Sequence, residues 1–321
     1  MKLILPSEFA AELQPQLTPD RYPNIEIAWV DQQGNFNGDP IDAEVYLNWY
    51  SLTQTTHEKV LAAAPALRWQ QTPSAGVNHI LTPAFRERNI TLTNGAGTFS
   101  VPIAEFVLMY ILYHAKCLDN LQRIQGDQDW QRPLELPLQE VMGKTLLIVG
   151  AGSIGQAIAQ RAAAFEMRVW GSRWNPQPLP SFEKVVGAEE WRSLLPQADY
   201  VVLATPLTPE TKGIIDADVL RSMRPSAYLI NIARGAVVDE AALLTALQQG
   251  WIAGAALDTF CTEPLPPDSL FWSLPNVFVT PHCSGLSPQI NERTIALFLD
   301  NLSRYQAGKP LQNVVDQTLG Y

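Results

Sequence analysis

The chain has 321 residues, of which 46% are hydrophobic, and a formal net charge of −10. This length favours two domains, and the acidic balance argues against nucleic acid or an anionic membrane surface as a partner. No stretch approaches the roughly 20 apolar residues of a membrane span, and the N-terminal apolar run is too short for a signal peptide. The three cysteines have neither disulfide-framework nor zinc-site spacing. We therefore expect a cytoplasmic protein with reduced thiols and no bound metal.

The first 100 residues alternate short β-like runs with helical ones. Residues 25–30 and 67–72 predict strands, and residues 57–64 predict a helix that Pro65 ends. A tight turn is expected at residues 73–76. This alternation is typical of an α/β domain.

A long apolar stretch at residues 101–118 predicts a buried helix, and the Gln-rich segment 122–140 predicts a surface loop or an arm packed on another subunit. A second α/β series follows, in which the apolar segment 145–149 indicates a central strand of a parallel sheet. The last helix is expected over residues 288–306. Further strands are predicted at 168–171, 199–204, 226–232, 253–257 and 277–280.

A GxGxxG turn follows the strand 145–149 and opens an apolar helix at residues 154–165. A strand, a glycine turn and a helix in that order predict a dinucleotide-binding site. The pyrophosphate of the bound dinucleotide would lie at the helix N-terminus. The phosphate-binding candidates are Gly150, Gly152, Ser153, Ile154 and Gly155.

The next strand ends in Ser172 and Arg173, where an acidic residue would bind the ribose 2′-hydroxyl of NAD. Arg173 can instead pair with a 2′-phosphate, and Ser172 can donate a further hydrogen bond. We expect NADP(H) to be preferred, with NAD(H) as the weaker cofactor. An exposed arginine without any ligand is the alternative.

Three charged residues follow predicted strands of the second series: Arg234, Glu263 and His282. Because strand carboxyl ends share one edge of a parallel sheet, these side chains are expected to converge. Arg234 suits a substrate carboxylate and its carbonyl, His282 suits proton transfer, and Glu263 can orient the imidazole. Taken alone, Arg234 could equally form a structural salt bridge. Glu263 could be an exposed loop acid, and His282 could be a buried residue without a catalytic role. The other histidines are interpreted as surface, loop and helix residues: His57, His79 and His114.

In combination, these motifs resemble the D-isomer-specific 2-hydroxyacid dehydrogenase family, over nearly the whole chain. The matching segments include 150–155, 205–211, 231–240, Asp258, 263–266 and 281–282. The resemblance implies that Arg234, Glu263 and His282 are catalytic. It places Thr205, Ile232 and Asp258 against the cofactor. It also implies that the backbone N–H groups of Ala75, Gly76 and Val77 bind the substrate carboxylate, which is physically sensible for an anion.

The fold implied by the resemblance is two doubly wound parallel-sheet α/β domains, Rossmann- and flavodoxin-like, with a cleft between them. The substrate domain would comprise residues 1–101 and 287–321, and residues 102–286 would form an inserted dinucleotide-binding domain. A homodimer is implied as well, and we expect the segment 122–140 to contribute interface contacts.

The Ser172–Arg173 pair departs from the aspartate of many members and makes the chain similar to the glyoxylate/hydroxypyruvate reductase branch. The expected activity is reduction of a small 2-keto acid by NADPH. Residues 46–50 are candidates for the substrate pocket, although their aromatic rings fit a core equally well. Two alternatives remain open: a dehydrogenase of another small anion such as phosphite, and a nicotinamide-sensing scaffold with little turnover.

Overall fold

The computed structural model describes residues 1–50, 52–77, 79–130 and 136–318. The chain divides into two compact units, and we call them the first and the second unit. The first unit comprises Met1–Phe99 and Ser287–Tyr321, and the second unit comprises Ser100–Leu286. The second unit is therefore an insertion between two segments of the first.

The first unit is built on a six-stranded sheet with the order β3-β2-β1-β4-β5-β6. Its strands are β1 Lys2–Pro6, β2 Glu26–Val30, β3 Phe36–Asn37, β4 Val45–Leu47, β5 Trp69–Gln71 and β6 Thr91–Thr93. All pairs are parallel except β2 with β3. The expected parallel sheet thus carries one antiparallel edge strand. It arises because the Asp31 carboxylate accepts the N–H groups of Gln33 and Asn35 and closes a tight turn between β2 and β3.

Helices cover both faces of this sheet. They are α1 Ala10–Leu13, α2 Gln54–Ala63, α3 Pro83–Arg86 and the C-terminal α9 Ile290–Gln306. Successive side chains of a strand point to opposite faces, so Leu3 and Leu5 pack with Phe298 of α9 while Ile4 packs with Val60 of α2.

The interpretation of His57 as a surface residue is wrong. Thr53 caps α2 by accepting the N–H of Thr56, which fixes the start of the helix and turns His57 into the core. The imidazole is fully buried, with Nε2 at 3.0 Å from Oε1 of Gln70 on β5.

The second unit is built on a seven-stranded sheet with the order β13-β12-β11-β10-β7-β8-β9, and every strand pair is parallel. Its strands are β7 Thr145–Val149, β8 Arg168–Ser172, β9 Lys184–Val186, β10 Tyr200–Leu203, β11 Tyr228–Asn231, β12 Gly254–Leu257 and β13 Val277–Val279. Its helices are α4 Ser100–Ala115, α5 Leu118–Asp127, α6 Ser153–Ala164, α7 Ala217–Ser222 and α8 Glu240–Gln248. Strands β7 to β9 lie on one side of a reversal in strand order, as in a Rossmann fold, and the expected fold class is confirmed for both sheets.

The segment 122–140 differs from the expected surface loop, because α5 occupies its first part. The long apolar helix ends at Ala115, and Cys117 adopts a left-handed backbone conformation with φ of 51° before α5 begins. Residues 131–135 lie outside the described part of the chain. Within the described residues, no single helix has the length and apolarity of a membrane span; α4 and α5 meet those criteria only as a pair bent by 62°.

Candidate active site

The glycine turn after β7 is packed so closely that side chains are excluded at two positions. Gly150 has a φ of 106°, and a Cβ there would lie 2.6 Å from the carbonyl of Ala204, beside the N atom of Thr205. A Cβ on Gly155 would lie 2.4 Å from the carbonyl oxygen of Gly150. By contrast, the Cβ position of Gly152 has open space around it. The turn is therefore tight on its protein side and accessible at Gly152.

Helix α6 begins at this turn and leaves backbone donors free. Its first bond runs from the N–H of Gln156 to the carbonyl of Gly152 at 2.9 Å. The N–H groups of Ser153 and Ile154 have no carbonyl acceptor among the described residues. Together with the positive end of the helix dipole, these donors and the open space at Gly152 fit the pyrophosphate of a dinucleotide.

The end of β8 lies against the same turn. The carbonyl of Ser172 accepts the N–H groups of Gly150 at 3.2 Å and of Ala151 at 2.7 Å. The next residue, Arg173, is partly exposed, and no carboxylate pairs with its guanidinium within the described ranges. Among the described residues, a positive charge without a carboxylate partner therefore follows the strand that supports the glycine turn.

The turn after β11 carries Arg234 and is held by a residue without an expected role, Asn231. The side chain of Asn231 accepts the N–H of Ala233 at 3.0 Å and donates to the carbonyl of Arg234 at 3.1 Å. A Cβ on Gly235 would lie 1.9 Å from the backbone of Phe260, so this turn contacts the segment that leads to Glu263. Ile232, a cofactor candidate, is buried at the start of the turn.

Arg234 is exposed, and Nη1 of its guanidinium donates to the carbonyl of the preceding residue, Ala233, at 2.7 Å. Desolvation lowers the pKa of Arg234, and the nearby charge of Glu263 opposes that shift. An arginine remains charged under any such shift. Arg234 is thus a cation that water hydrates incompletely, and it would favour an anionic ligand.

Glu263 and His282 form a hydrogen-bonded pair. Nδ1 of His282 lies 2.7 Å from Oε2 of Glu263, and the other carboxylate oxygen accepts the N–H of Phe260 at 2.9 Å. The carboxylate accepts the Nδ1–H, which leaves Nε2 as the outward ring atom. His282 keeps 45% of its side-chain surface exposed, and its φ of 51° lies in a region that non-glycine residues seldom adopt.

The backbone of His282 is fixed by a buried carboxylate, Asp258. Its Oδ1 accepts the hydroxyl of Thr280 at 2.6 Å and the N–H of Cys283 at 2.9 Å, and its Oδ2 accepts the N–H of Ser284 at 3.0 Å. The hydroxyl of Tyr110 on α4 donates to Thr280 at 2.7 Å. The carboxylate of Asp258 thus holds the segment 280–284, and the contact with the cofactor that the resemblance implies for Asp258 stays a prediction.

The sequence did not assign roles to Asn231, Thr280 or Tyr110. Asn231 and Thr280 lie next to predicted strand ends, which is a usable signal for polar residues that shape a turn. Tyr110 offered no comparable signal because it lies inside an apolar helical stretch. The proposed substrate loop, Ala75 to Val77, belongs to the first unit and follows β5.

These features define a dinucleotide-binding α/β fold with an arginine and a carboxylate–histidine pair at adjacent strand ends. The family model for the D-isomer specific 2-hydroxyacid dehydrogenase NAD binding domain matches residues 108–284. A glyoxylate reductase of Korarchaeum cryptofilum is 35% identical over 284 residues, covering 87% of this chain and 80% of that protein. A glyoxylate/hydroxypyruvate reductase A of Serratia proteamaculans is also 35% identical, covering 85% and 87% of the two chains.

Solved structures agree with this match. A D-isomer specific 2-hydroxyacid dehydrogenase from Xanthobacter autotrophicus in complex with NADPH superposes with a TM-score of 0.86 at 30% identity, over 100% of this chain and 99% of that one. An NADPH-dependent glyoxylate/hydroxypyruvate reductase from Sinorhizobium meliloti, in complex with NADP and sulfate, has a TM-score of 0.83 at 27% identity and the same coverage. The chain belongs to the D-isomer-specific 2-hydroxyacid dehydrogenase family, as its motifs predicted, and is an oxidoreductase.

Proposed function

We propose that this protein reduces a small 2-keto acid, of the glyoxylate or hydroxypyruvate type, to the D-2-hydroxy acid with NADPH as the reductant. The observation that carries the proposal is the 2.7 Å Glu263–His282 pair, in the same unit as Arg234 and a glycine turn that fits a dinucleotide. Relatives at 35% identity named as glyoxylate and glyoxylate/hydroxypyruvate reductases support this choice of substrate.

The chain's own residues meet the demands of the reaction as follows. Arg234 binds the substrate carboxylate and polarises the carbonyl with its fixed fork of donors. His282 delivers the proton from Nε2 to the carbonyl oxygen, while Glu263 holds Nδ1 and the orientation of the ring. NADPH, when bound, supplies the hydride that the carbonyl carbon receives. The product gains one hydride and one proton, so the reaction balances.

NADPH is the proposed cofactor because Arg173 offers a positive charge to a 2′-phosphate, with the hydroxyl of Ser172 beside it. NAD(H) lacks that phosphate and is expected to bind more weakly. The remaining cofactor contacts are assigned to Gly150, Gly152, Ser153, Ile154, Gly155, Thr205, Ile232 and Asp258. Structural neighbours described in complex with NADPH or NADP support the cofactor assignment.

Within this proposal, the second unit binds the dinucleotide and supplies Arg234 and His282, and the first unit supplies the loop that binds the substrate carboxylate. The domain bounds proposed from the sequence are residues 1–101 and 287–321 for the substrate domain, with residues 102–286 inserted between them as the dinucleotide-binding domain. The N–H groups of Ala75, Gly76 and Val77 contact the substrate carboxylate. A cytoplasmic location is proposed as well, in accord with the free thiols of the three cysteines.

A homodimer is proposed, with the face of α4 and α6 as its centre. Met109 and Phe165 expose 38% and 43% of their surfaces there, beside Leu108 and Leu112. The segment 122–140 adds Trp130, which is 93% exposed. Exposed apolar side chains in one area are typical of a surface that a partner covers. Sedimentation velocity tests the proposal: the wild type should sediment as a dimer and Met109→Glu as a monomer, and a monomeric wild type would refute it.

The experiment that tests the function is oxidation of NADPH and NADH, followed by absorbance, with a panel of 2-keto acids that includes glyoxylate and hydroxypyruvate. We expect turnover with NADPH to exceed that with NADH, and Arg173→Asp to reverse or erase the difference. His282→Ala should lower kcat by about 10²–10⁴-fold, the usual effect of losing a positioned acid. Tight NADPH binding without turnover of any keto acid would reject the proposal and favour a nicotinamide-sensing scaffold.

A further inference from the structure

The loop after β5 is attached to the first unit through two of its carbonyl groups. The carbonyl of Ser74 accepts the backbone N–H of Gly95 at 2.9 Å. The carbonyl of Ala75 accepts Nδ2 of Asn94, also at 2.9 Å. Both anchors follow directly after β6, so the loop is fixed to the neighbouring strand rather than to its own.

These two bonds determine where the loop's N–H groups point. The peptides of Ala75 and Gly76 are trans, and in a trans peptide the C=O and N–H bonds point in opposite directions. With both carbonyls turned towards Asn94 and Gly95, the N–H groups of Ala75 and Gly76 are directed away from β6. Across the part of the chain that the structure describes, the N–H groups of residues 75–77 have no acceptor.

The anchors themselves are rigid. Asn94 is 8% exposed, and its Oδ1 accepts the N–H of Ala96 at 3.1 Å. Asn313 of the C-terminal segment also binds these residues. Its carbonyl accepts the backbone N–H of Asn94, and its Nδ2 donates to the carbonyl of Ala96. A Cβ on Gly95 would lie 1.8 Å from the carbonyl oxygen of Pro73, so only glycine allows this approach.

We propose that Asn94 and Gly95 are positioning residues that turn the Ala75 and Gly76 peptides so that their N–H groups bind the substrate carboxylate. The inference rests on the proposed function, and it assigns the cause of the loop's anion affinity to residues that do not touch the anion. Adjacent N–H groups directed to one side form a concave site for a negatively charged oxygen. Holding them there before binding removes an ordering cost from the affinity.

The first test is steady-state kinetics of Asn94→Ala with the 2-keto acid that the wild type reduces. The released carbonyl of Ala75 should let the loop peptides rotate, which should raise KM for the keto acid by about 10- to 100-fold with a smaller change in kcat. The Kd for NADPH should stay unchanged. The matched control is Asn301→Ala, since Asn301 is a fully buried asparagine of the first unit whose amide donates to Gln71 and Gln312 and not to the loop.

An unchanged KM in Asn94→Ala would overturn the proposal, and so would an equal rise in KM in Asn301→Ala. If Asn94→Ala does not fold, Asn94→Ser replaces it, because the serine hydroxyl can still accept the N–H of Ala96 but is too short to reach the carbonyl of Ala75.

A second test does not require turnover, so it separates this inference from the proposed function. The amide resonances of Ala75 and Gly76 are followed by NMR while the protein, saturated with NADP, is titrated with oxalate. Large shifts in the wild type that are lost in Asn94→Ala would support the positioning role even if no keto acid were reduced. Shifts of equal size in both proteins, or none in the wild type, would overturn it.

Discussion

The segment 280–284 of the second unit and the loop 73–77 of the first are both held by buried polar groups, but through opposite backbone atoms. In the second unit, the Asp258 carboxylate accepts the N–H groups of Cys283 and Ser284. That segment has used its backbone donors, and what it offers outward is the side chain of His282.

In the first unit, donors from Asn94 and Gly95 hold the carbonyls of Ser74 and Ala75. The N–H groups of residues 75–77 have no acceptor among the described residues, which is the basis for the proposal that they bind the substrate. The contrast follows from the group that each segment presents. A segment that presents a proton-donating side chain can be fixed through its N–H groups, whereas one that presents its backbone to an anion must be fixed through its carbonyls.

The largest effect on stability and on kcat is expected from Asp258→Asn, which alters the group that holds the segment 280–284. The amide keeps the size of the carboxylate but turns one acceptor into a donor, which then faces an N–H group. We expect a loss of about 2 kcal/mol in the free energy of unfolding, since a charged acceptor is lost. Because the segment carrying His282 would shift, kcat should fall by about 10²-fold. Denaturant unfolding and steady-state kinetics measure the two effects.

Asp199→Asn is the matched control for this variant. Asp199 also accepts a backbone N–H, from Thr145 at 2.8 Å, and pairs with Arg224 at 2.9 Å, but it precedes β10 at the opposite edge of the sheet. It should cost stability and leave kcat near the wild-type value. Equal losses of kcat in both variants would show that Asp258 acts through stability alone.

A smaller effect is expected from Tyr110→Phe, which removes the hydroxyl that donates to Thr280. Burial raises the pKa of Tyr110, so the group remains a donor throughout the neutral range. One neutral hydrogen bond is lost, and the free energy of unfolding should fall by about 1 kcal/mol, with a few-fold loss of kcat. Tyr113→Phe is the control, because the Tyr113 ring stacks on Phe278 with centroids 4.3 Å apart. A larger kcat loss in the control would contradict a role for the Tyr110 hydroxyl.

The secondary structure of the second unit could be predicted better than that of the first, because its apolar runs and motifs are longer. Strand β7 is a continuous apolar run followed by the glycine turn, so its position and type could be predicted together. Strands β4 and β6 have three residues each, which is too short for any periodicity to be read. Tyr46, considered for the substrate pocket, is a core residue because β4 is covered on both faces.

In the candidate site, too, some features could be predicted from the sequence and others could not. Arg234, Glu263 and His282 could be chosen because each chemistry-bearing side chain follows a predicted strand end. The bonds that orient them join distant positions, such as Tyr110 with Thr280 across 170 residues. Asn94 likewise could not be singled out, since its role depends on which strand lies beside β5. Chemistry could be predicted from residue types, whereas orientation depends on neighbours that the fold alone brings together.

The smallest expected effect concerns His57, whose burial the sequence did not reveal. Its Nε2 is bonded to Gln70, Gln70 donates to Asn48 at 2.9 Å, and Asn48 donates to Thr72 at 3.2 Å, directly before the loop 73–77. Desolvation by burial lowers the pKa of His57, and the bond to Gln70 opposes the shift. The buried imidazole is therefore neutral at pH 7, with Nε2–H donated to Gln70.

The sign of the pH dependence follows from that shift. The unfolded chain takes up a proton on His57 near pH 6.5, before the folded protein does. Its contribution to the free energy of unfolding is therefore complete above pH 6.5 and is lost as the pH falls through the lower pKa of the folded state. Urea unfolding at several values between pH 7.5 and pH 5 (about the range in which histidine titrates) should show a steeper loss for the wild type than for His57→Gln. Parallel curves would mean that the imidazole is not held neutral. They would also mean that the hydrogen bonds joining Gln70, Asn48 and Thr72 do not require a neutral His57.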